Sequence, residues 1–362
     1  MPSDRVFVTG ASGFIGSHVA AAFARAGYRV RALAHEKCRV GEACRVGSLG
    51  PTNASSVGSQ RGVGSQRGVG SLEPTKAHPI EWVDGDVCRA GELVRSLADC
   101  RYLVHCAALY SFAPMDRARL REVNVAGTAR LLEAARIAGI ERAVVTSSSA
   151  TVGPSRQGRP ADETCNAVHW PASAYHHSKV EQERVAIAAR VPVVLVLPTA
   201  PVGPGDHKPT PTGRIVLDFA CGRMPARPSG GGLNVVSVED VAAAHVAALE
   251  RGRPKERYIA GGENVSFDAL WELLAAVTGR PVPPWRVPHT IALAAAYADE
   301  IRCRLQPHAV PVVPLEGVQL SREYMYADSA KAERELGYRA GSVRDALARA
   351  VAWYRAHGYI AA

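Results

Sequence analysis

Thr9-Gly10-Ala11-Ser12-Gly13-Phe14-Ile15-Gly16 closes a short β-branched run, Arg5–Thr9, and opens a stretch of helical periodicity, Phe14–Ala26, that ends before Gly27. The glycines fall at G-x-x-G-x-x-G spacing. The first permits a tight turn, the second lets backbone amides approach a pyrophosphate, and the third lets the helix pack closely on the sheet. The positive end of the helix adds to the attraction for an anion. A glycine triplet alone is a weak signal. Here a strand precedes it, a helix follows, and Arg29–Leu33 reads as a second strand, a context that makes it specific. Gly10, Ser12, Gly13, Phe14, Ile15 and Gly16 are therefore expected to hold a dinucleotide.

Outward from this turn, Ile80–Val83, Tyr102–Cys106, Ala143–Ser147 and Val193–Leu197 are further short apolar runs, and the helical stretches Asp116–Ala138 and Ala174–Ala189 separate the later ones. Such alternation predicts an α/β fold, a Rossmann doubly wound parallel sheet with helices on both faces. The second half is less regular. Pro198–Gly213 is rich in Pro and Gly, while Glu239–Glu250, Phe267–Val277, His289–Leu305, Ser329–Leu336 and Val343–His357 read as helices. The expected organisation is a nucleotide-binding domain over 1–197 and a smaller, mostly helical C-terminal substrate domain over 198–362. Residues 237–262, with a strand at Tyr258–Gly262, are expected to return to the first domain.

Residues 38–77 break the pattern. Val57–Ser71 repeats VGSQRG, and Arg45–Thr52 and Gly68–Thr75 are near copies of each other. Gly, Ser and Gln dominate, and one valine per repeat buries too little to offset the entropy of ordering. The stretch reads as a disordered insertion between the second and third strands.

Apolar residues make up 47% and charged residues 21%, an ordinary globular balance. Apolar windows such as Val191–Pro198 and Ile291–Ala298 are too short to span a bilayer. The first ten residues run straight into the strand and the glycine turn, which leaves no room for a signal peptide, so a cytoplasmic protein is expected. Lys and Arg number 43 against 34 Asp and Glu, a net charge of +9. The arginines are scattered without a like-charge block, and a phosphate-bearing cofactor accounts for part of the excess, so no nucleic-acid partner is expected. None of the eight cysteines forms a C-x-x-C pair or joins a His cluster at zinc spacing. They read as reduced and structural, with no metal; a homodimer is left open.

The end of the second strand separates NAD from NADP in such folds. Ala34 occupies the slot where an acid would bind a ribose diol, and His35, Lys37 and Arg39 follow. NADP(H) is the preferred expectation, with His35 and Lys37 on the 2′-phosphate; NAD(H) stays open because Glu36 is also at hand. Asp86 and Val87, after the third strand, are placed to meet the adenine, although Asp86 equally suits a plain turn.

Tyr175-His176-His177-Ser178-Lys179 opens a helix, and residues four apart share one face. An ammonium beside a phenol stabilises the phenolate and lowers a pKa that is otherwise about 10. The phenol can then exchange a proton with a carbonyl or alcohol while nicotinamide moves hydride. Thr146-Ser147-Ser148-Ser149 stands at the carboxyl end of a strand, where open α/β sheets bind ligands, and a serine there can orient the reacting oxygen. Asn124 lies on the intervening helix. Ser148, Ser149, Tyr175, Lys179 and Asn124 form the catalytic set. Counting forward from Thr146 gives Ser148, the preferred serine; counting back from Val152 gives Ser149.

These motifs, together with His105-Cys106-Ala107-Ala108, Pro198–Asp206, Ser237–Ala242 and Asp328–Tyr338, resemble the extended short-chain dehydrogenase/reductases over nearly the whole chain. The resemblance implies that Ala107 and Pro198 line the cofactor and that Lys179 also holds its ribose hydroxyls. Lys208–Ile215 and Gly222–Ala226 are similar to the hopanoid-associated sugar epimerases, a group close to the dihydroflavonol reductases. Nucleotide-sugar epimerases usually carry Arg-Asp where this chain has Leu233-Asn234, and a Tyr between the residues matching Val152 and Gly153. A dehydratase would need an acidic pair where Ala150-Thr151 stands. A cofactor-binding sensor without turnover usually loses the Tyr or the Lys, and both are present. The implied activity is a reductase or epimerase acting on a hydroxyl or carbonyl carbon of a small molecule.

Overall fold

The structure, a computed structural model, describes residues 4–34, 79–111, 116–167, 173–306 and 315–360. The repeats at Val57–Ser71, and His35 and Lys37, expected at the 2′-phosphate, lie outside the described residues.

The first half runs β1 (Arg5–Thr9), α1 (Phe14–Arg25), β2 (Arg29–Ala34), β3 (Glu81–Asp84), a 3-10 stretch (Val87–Leu93), α2 (Val94–Leu97), β4 (Tyr102–His105), α3 (Arg117–Leu120), a π turn (Arg121–Gly127), α4 (Thr128–Ile137), β5 (Arg142–Thr146), a 3-10 turn (Ser149–Thr151), α5 (Ala174–Ala188) and β6 (Val193–Pro198). Then follow β7 (Ala200–Val202), α6 (Pro211–Ala220), β8 (Ala226–Pro228), β9 (Gly232–Ser237), α7 (Val238–Arg251), β10 (Arg257–Ala260), β11 (Glu263–Ser266), α8 (Phe267–Thr278), β12 (Trp285–Val287), α9 (His289–Leu305), α10 (Leu315–Leu320), β13 (Tyr324–Met325), α11 (Ala330–Leu336) and α12 (Val343–Ala356).

Seven parallel strands form the main sheet in the order β3-β2-β1-β4-β5-β6-β10. The chain winds outward from β1 in one direction and from β4 in the other. Their junction, with Thr9 in register with His105, is the switch point where such sheets bind ligands. Alternating side chains bury both faces. Val6, Val8, Val104, Val144 and Val194 pack with Phe23 and Val241 of α1 and α7. Phe7, Leu103, Val145 and Leu195 pack with Leu131 and Ala186 of α4 and α5. A strand buried on both sides reads as a continuous apolar run, which is why these strands were legible. At the outer edge of the sheet, the Ile259 amide of β10 donates to Glu163 Oε1 at 2.8 Å.

The reading of 116–138 as one uniform helix needs correction, because residues 121–127 form a π turn between α3 and α4. Such a turn holds one residue more than an α-turn and shifts the faces on either side of it. The C-terminal region is helical, with a third core of Phe219, Trp271, Leu274 and Tyr354 between α6, α8 and α12. It also carries small sheets that were not anticipated, β7, β9, β11 and β13 in one and β8 with β12 in another. The Pro/Gly stretch 198–213 likewise contains β7 and the start of α6. Thr210 Oγ1 caps α6 by accepting from the Gly213 amide, and Pro211 follows at its first position.

Candidate active site

The glycine turn is shaped for a ligand's close approach. Gly10 has φ +70°, and a Cβ there would stand 2.6 Å from the Ala107 nitrogen. A Cβ on Gly16 would stand 2.1 Å from the Gly10 carbonyl oxygen. Bare glycines thus bring the ends of β1 and β4 and the start of α1 together. No side chain caps α1 at Gly13, so its first-turn amides remain for an anion. Ser12, Phe14 and Ile15 are half-buried and Gly13 is exposed, all within a ligand's reach. A cradle that side chains would fill, at the carboxyl end of β1, fits a dinucleotide pyrophosphate.

Asp86 and Val87 end the β3 turn. Asp86 Oδ1 accepts from the Cys88 amide at 2.8 Å as an N-cap, and Val87 is buried. Ala107 follows β4, and its amide donates to Thr9 Oγ1 at 3.3 Å. Pro198 ends β6, in register with Ala260. All four positions lie at the carboxyl edge of the sheet.

Tyr175 and Lys179 sit in the first turns of α5, which is started by Ser173 accepting from the His176 amide. Tyr175 is half-buried, its ring 4.3 Å from that of Tyr110. Lys179 is buried, and its Nζ donates to the Thr146 carbonyl at 2.8 Å and to Gln182 Oε1 at 2.5 Å. Burial lowers the Lys179 pKa to about 8, against the opposing pull of Glu183.

The serines divide by environment. Ser147 Oγ is turned inward and donates to Glu183 Oε1 at 2.5 Å. Ser148 Oγ caps the following 3-10 turn by accepting from the Ala150 amide at 3.2 Å. Ser149 is half-buried, and its hydroxyl has no hydrogen-bond partner among the described residues. Asn124 is buried, with its Oδ1 accepting from the Leu109 amide at 2.7 Å. Its Nδ2 donates to the Leu109 carbonyl at 3.0 Å and to Ser178 Oγ at 2.9 Å. It therefore pins the loop after β4 to α5.

Three contributors were missed in the sequence. Glu183, one turn after Lys179, accepts from Ser147 and from Thr151 Oγ1 at 2.8 Å, and its Oε2 is 3.3 Å from Arg257 Nε. Gln182 anchors Lys179. Tyr110 covers Tyr175. The i+3 and i+4 positions after Lys179 were the available signal for the first two, but a Glu-Gln-Glu run on a helix looks like a solvated face. Among the described residues no His, Cys, Asp or Glu cluster suits a metal ion, and no helix is long and apolar enough to cross a membrane.

The chain is similar to the putative dihydroflavonol 4-reductase of Synechocystis sp., with 37% identity over 99% of this chain and 96% of that one. It is also similar to sterol demethylase protein B of Methylococcus capsulatus, with 34% identity over 78% and 87% of the respective chains. The crystal structure of gox2253 superposes with a TM-score of 0.75 at 33% identity, over 99% of this chain and 100% of that one. The family model described as the NAD dependent epimerase/dehydratase family matches residues 6–261, which run from β1 through the glycine cradle and the Tyr175–Lys179 helix to the end of β10. This chain belongs to the NAD-dependent epimerase/dehydratase family of hydride-transferring oxidoreductases.

Proposed function

We propose that the protein is an NADP(H)-preferring reductase acting at a carbonyl or hydroxyl carbon of a small molecule that carries no nucleotide diphosphate. The observation that carries the substrate class is the pair Leu233-Asn234. Nucleotide-sugar epimerases place Arg-Asp here; Leu233 takes the arginine's place, and Asn234, in the place of the Asp, is locked into structure. Its Oδ1 accepts from the Gly262 amide at 2.7 Å, and its Nδ2 donates to Asn264 Oδ1 at 2.7 Å. Leu233 packs against the third core, so the arginine's position offers a diphosphate no cation. The likeness to two relatives at 34–37% identity, one named a reductase and one a sterol demethylase protein, supports a substrate without a nucleotide.

When bound, the nicotinamide cofactor supplies or accepts the hydride. Gly10, Gly13 and Gly16 seat the pyrophosphate, with Ser12, Phe14 and Ile15 around it. Asp86 and Val87 border the adenine, and Ala107 and Pro198 flank the nicotinamide half. His35 and Lys37 serve the 2′-phosphate. In the reducing direction Tyr175 gives its phenolic proton to the carbonyl oxygen as the hydride reaches the carbon, and the phenolate left behind is stabilised by the Lys179 ammonium. Ser149 orients the substrate oxygen, since its hydroxyl has no partner among the described residues and can turn to suit it, whereas Ser148 Oγ, although its proton is unspent, is held in place by the Ala150 amide. Asn124 acts by positioning the loop and α5.

Tyr175→Phe tests the assignment. It keeps the ring against Tyr110 and should abolish turnover while leaving cofactor affinity within about twofold. Ser149→Ala should cost on the order of 100-fold in rate and Ser148→Ala far less. Full activity in Tyr175→Phe would overturn the mechanism. A larger loss at Ser148 would exchange the two serines.

A further inference from the structure

Behind Lys179 runs a buried chain of polar groups that hydride transfer itself does not use. Gln182 Nε2 donates to Thr128 Oγ1 at 2.9 Å, and Thr128 Oγ1 donates to the Asn124 carbonyl at 2.7 Å. The single hydroxyl proton of Thr128 is spent on that carbonyl, so His105 Nε2, 2.8 Å away, must donate to Thr128. His105 Nδ1 is then the acceptor for Thr9 Oγ1 at 2.7 Å. Thr9 in turn accepts from the Ala107 amide. Thr9, His105, Thr128 and Gln182 are all buried. The direction of every bond is thereby determined. Thr128 already accepts from His105, and only the NH2 end of the Gln182 amide can face it, so the Gln182 carbonyl is obliged to face Lys179.

This has a geometric effect on the ammonium. Lys179 Nζ is tetrahedral, with one position taken by Cε and two N–H bonds anchored on Thr146 and Gln182. The fourth direction is fixed, and it is the one left for the phenol and the ribose. We propose that Gln182, oriented by Thr128 and His105, is the positioning residue that aims this last N–H of Lys179 and holds the lysine in its ammonium form. The inference rests on the reading of Lys179 as the cofactor's partner. It extends that reading to a residue that touches neither cofactor nor substrate.

The groups facing Lys179 leave a clean window. Burial holds His105 neutral, with its pKa lowered to about 3, and pushes the Cys106 thiol up to about 12; both come from the end of β4. His245 of α7, which bonds Thr146 Oγ1 at 2.8 Å, is lowered to about 4 by burial. Glu183 on the same helix faces Arg257. Tyr175 lies four residues before Lys179 on the same helix, hence on the same face, and a Tyr175→Phe background removes its phenol. Of these facing groups the Lys179 ammonium is then the one that changes charge between pH 7 and 9.5, and a nucleotide held by it binds less well as pH rises.

The test is a fluorescence titration of the full chain with NADPH across that range, in the Tyr175→Phe background. Gln182→Leu removes an acceptor from the ammonium and should lower the midpoint of the affinity loss by about one pH unit, about tenfold in proton affinity. Gln182→Glu puts a carboxylate in the same place and should raise the midpoint. Thr128→Val frees the amide and should shift it in the Leu direction by less. Opposite shifts from Leu and Glu are not produced by a general loosening of the fold. If Gln182→Leu does not fold, the upward shift in Gln182→Glu decides alone, and if neither folds, the sign of the Thr128→Val shift decides. Lys179→Met separates the two levels. If it leaves affinity and pH profile unchanged, the reading of Lys179 fails. If it flattens the profile while the Gln182 and Thr128 variants keep the wild-type midpoint, or all shift it one way, the inference about Gln182 is overturned and the reading stands.

Discussion

Replacing Glu183 by Ala should cost about 3–5 kcal/mol, the usual cost of removing one partner of a buried ion pair. Glu183 and Arg257 have side-chain exposures of 9% and 17%, and their closest approach is 3.3 Å. The same carboxylate accepts from Ser147 and Thr151, two hydroxyls that would be left without that acceptor. Unfolding entropy is about 2 cal/mol/K per residue, or about 0.75 kcal/mol/K for 362 residues. The expected fall in Tm is therefore about 4–7 °C. Glu183→Gln keeps an oxygen for both hydroxyls but turns an amide NH2 toward Arg257 in place of the charged oxygen, so it should cost less than Glu183→Ala without being neutral. Thermal unfolding of the cofactor-free protein by circular dichroism gives the values. The double variant Glu183→Ala, Arg257→Leu should recover much of the loss, because it removes the uncompensated charge. A loss under 1 °C in Glu183→Ala, or strict additivity in the double variant, would refute the view that this pair braces the serine segment.

Gly16→Ala should weaken cofactor binding at least 100-fold, since its Cβ would stand 2.1 Å from the Gly10 oxygen; Gly91→Ala, with nothing within 4 Å, is the matched control in the same fluorescence titration. Buried His105, His176 and His245 stay neutral down to about 3, 4 and 4 respectively, while the unfolded chain protonates near pH 6.5. Their folded pKa values are depressed, so stability is held above about pH 6.5 and lost as pH falls toward 4. The slope is at most about 4 kcal/mol per pH unit for three protons, and urea titrations of His245→Gln should show it reduced by about a third. NADPH should bind more tightly than NADH, and equal or tighter NADH binding in a calorimetric titration would assign the ribose to Glu36.

Most of the sheet was legible because its strands are buried on both faces and therefore apolar throughout. Arg5–Thr9 and the glycine turn needed only local chemistry. The Tyr175–Lys179 pair was legible because four-residue spacing is a local property of helices. What escaped depends on partners distant in sequence. Gln182 and Glu183 look like solvent-facing polar residues until Thr128, Ser147 and Arg257 are brought against them. The strands β7, β11 and β13 span two to four residues, too short for a period to show. The cap at Thr210 and the proline after it were visible signals for α6, but the surrounding glycines and prolines outweighed them.

The π turn at 121–127 puts a constraint of a different kind on this protein. Asn124 and Thr128 both face inward, one bonded to Leu109 and the other to His105, and the turn supplies the phase that lets α3 and α4 pack on either side of them. A substitution here exchanges one side chain and can be compensated locally. Deleting one residue would relax the turn to α geometry and rotate everything before it by about 100° relative to everything after. One of the two inward contacts would then be carried out of reach. The number of residues between β4 and β5 is thus as much a part of the active site as the identity of any one of them.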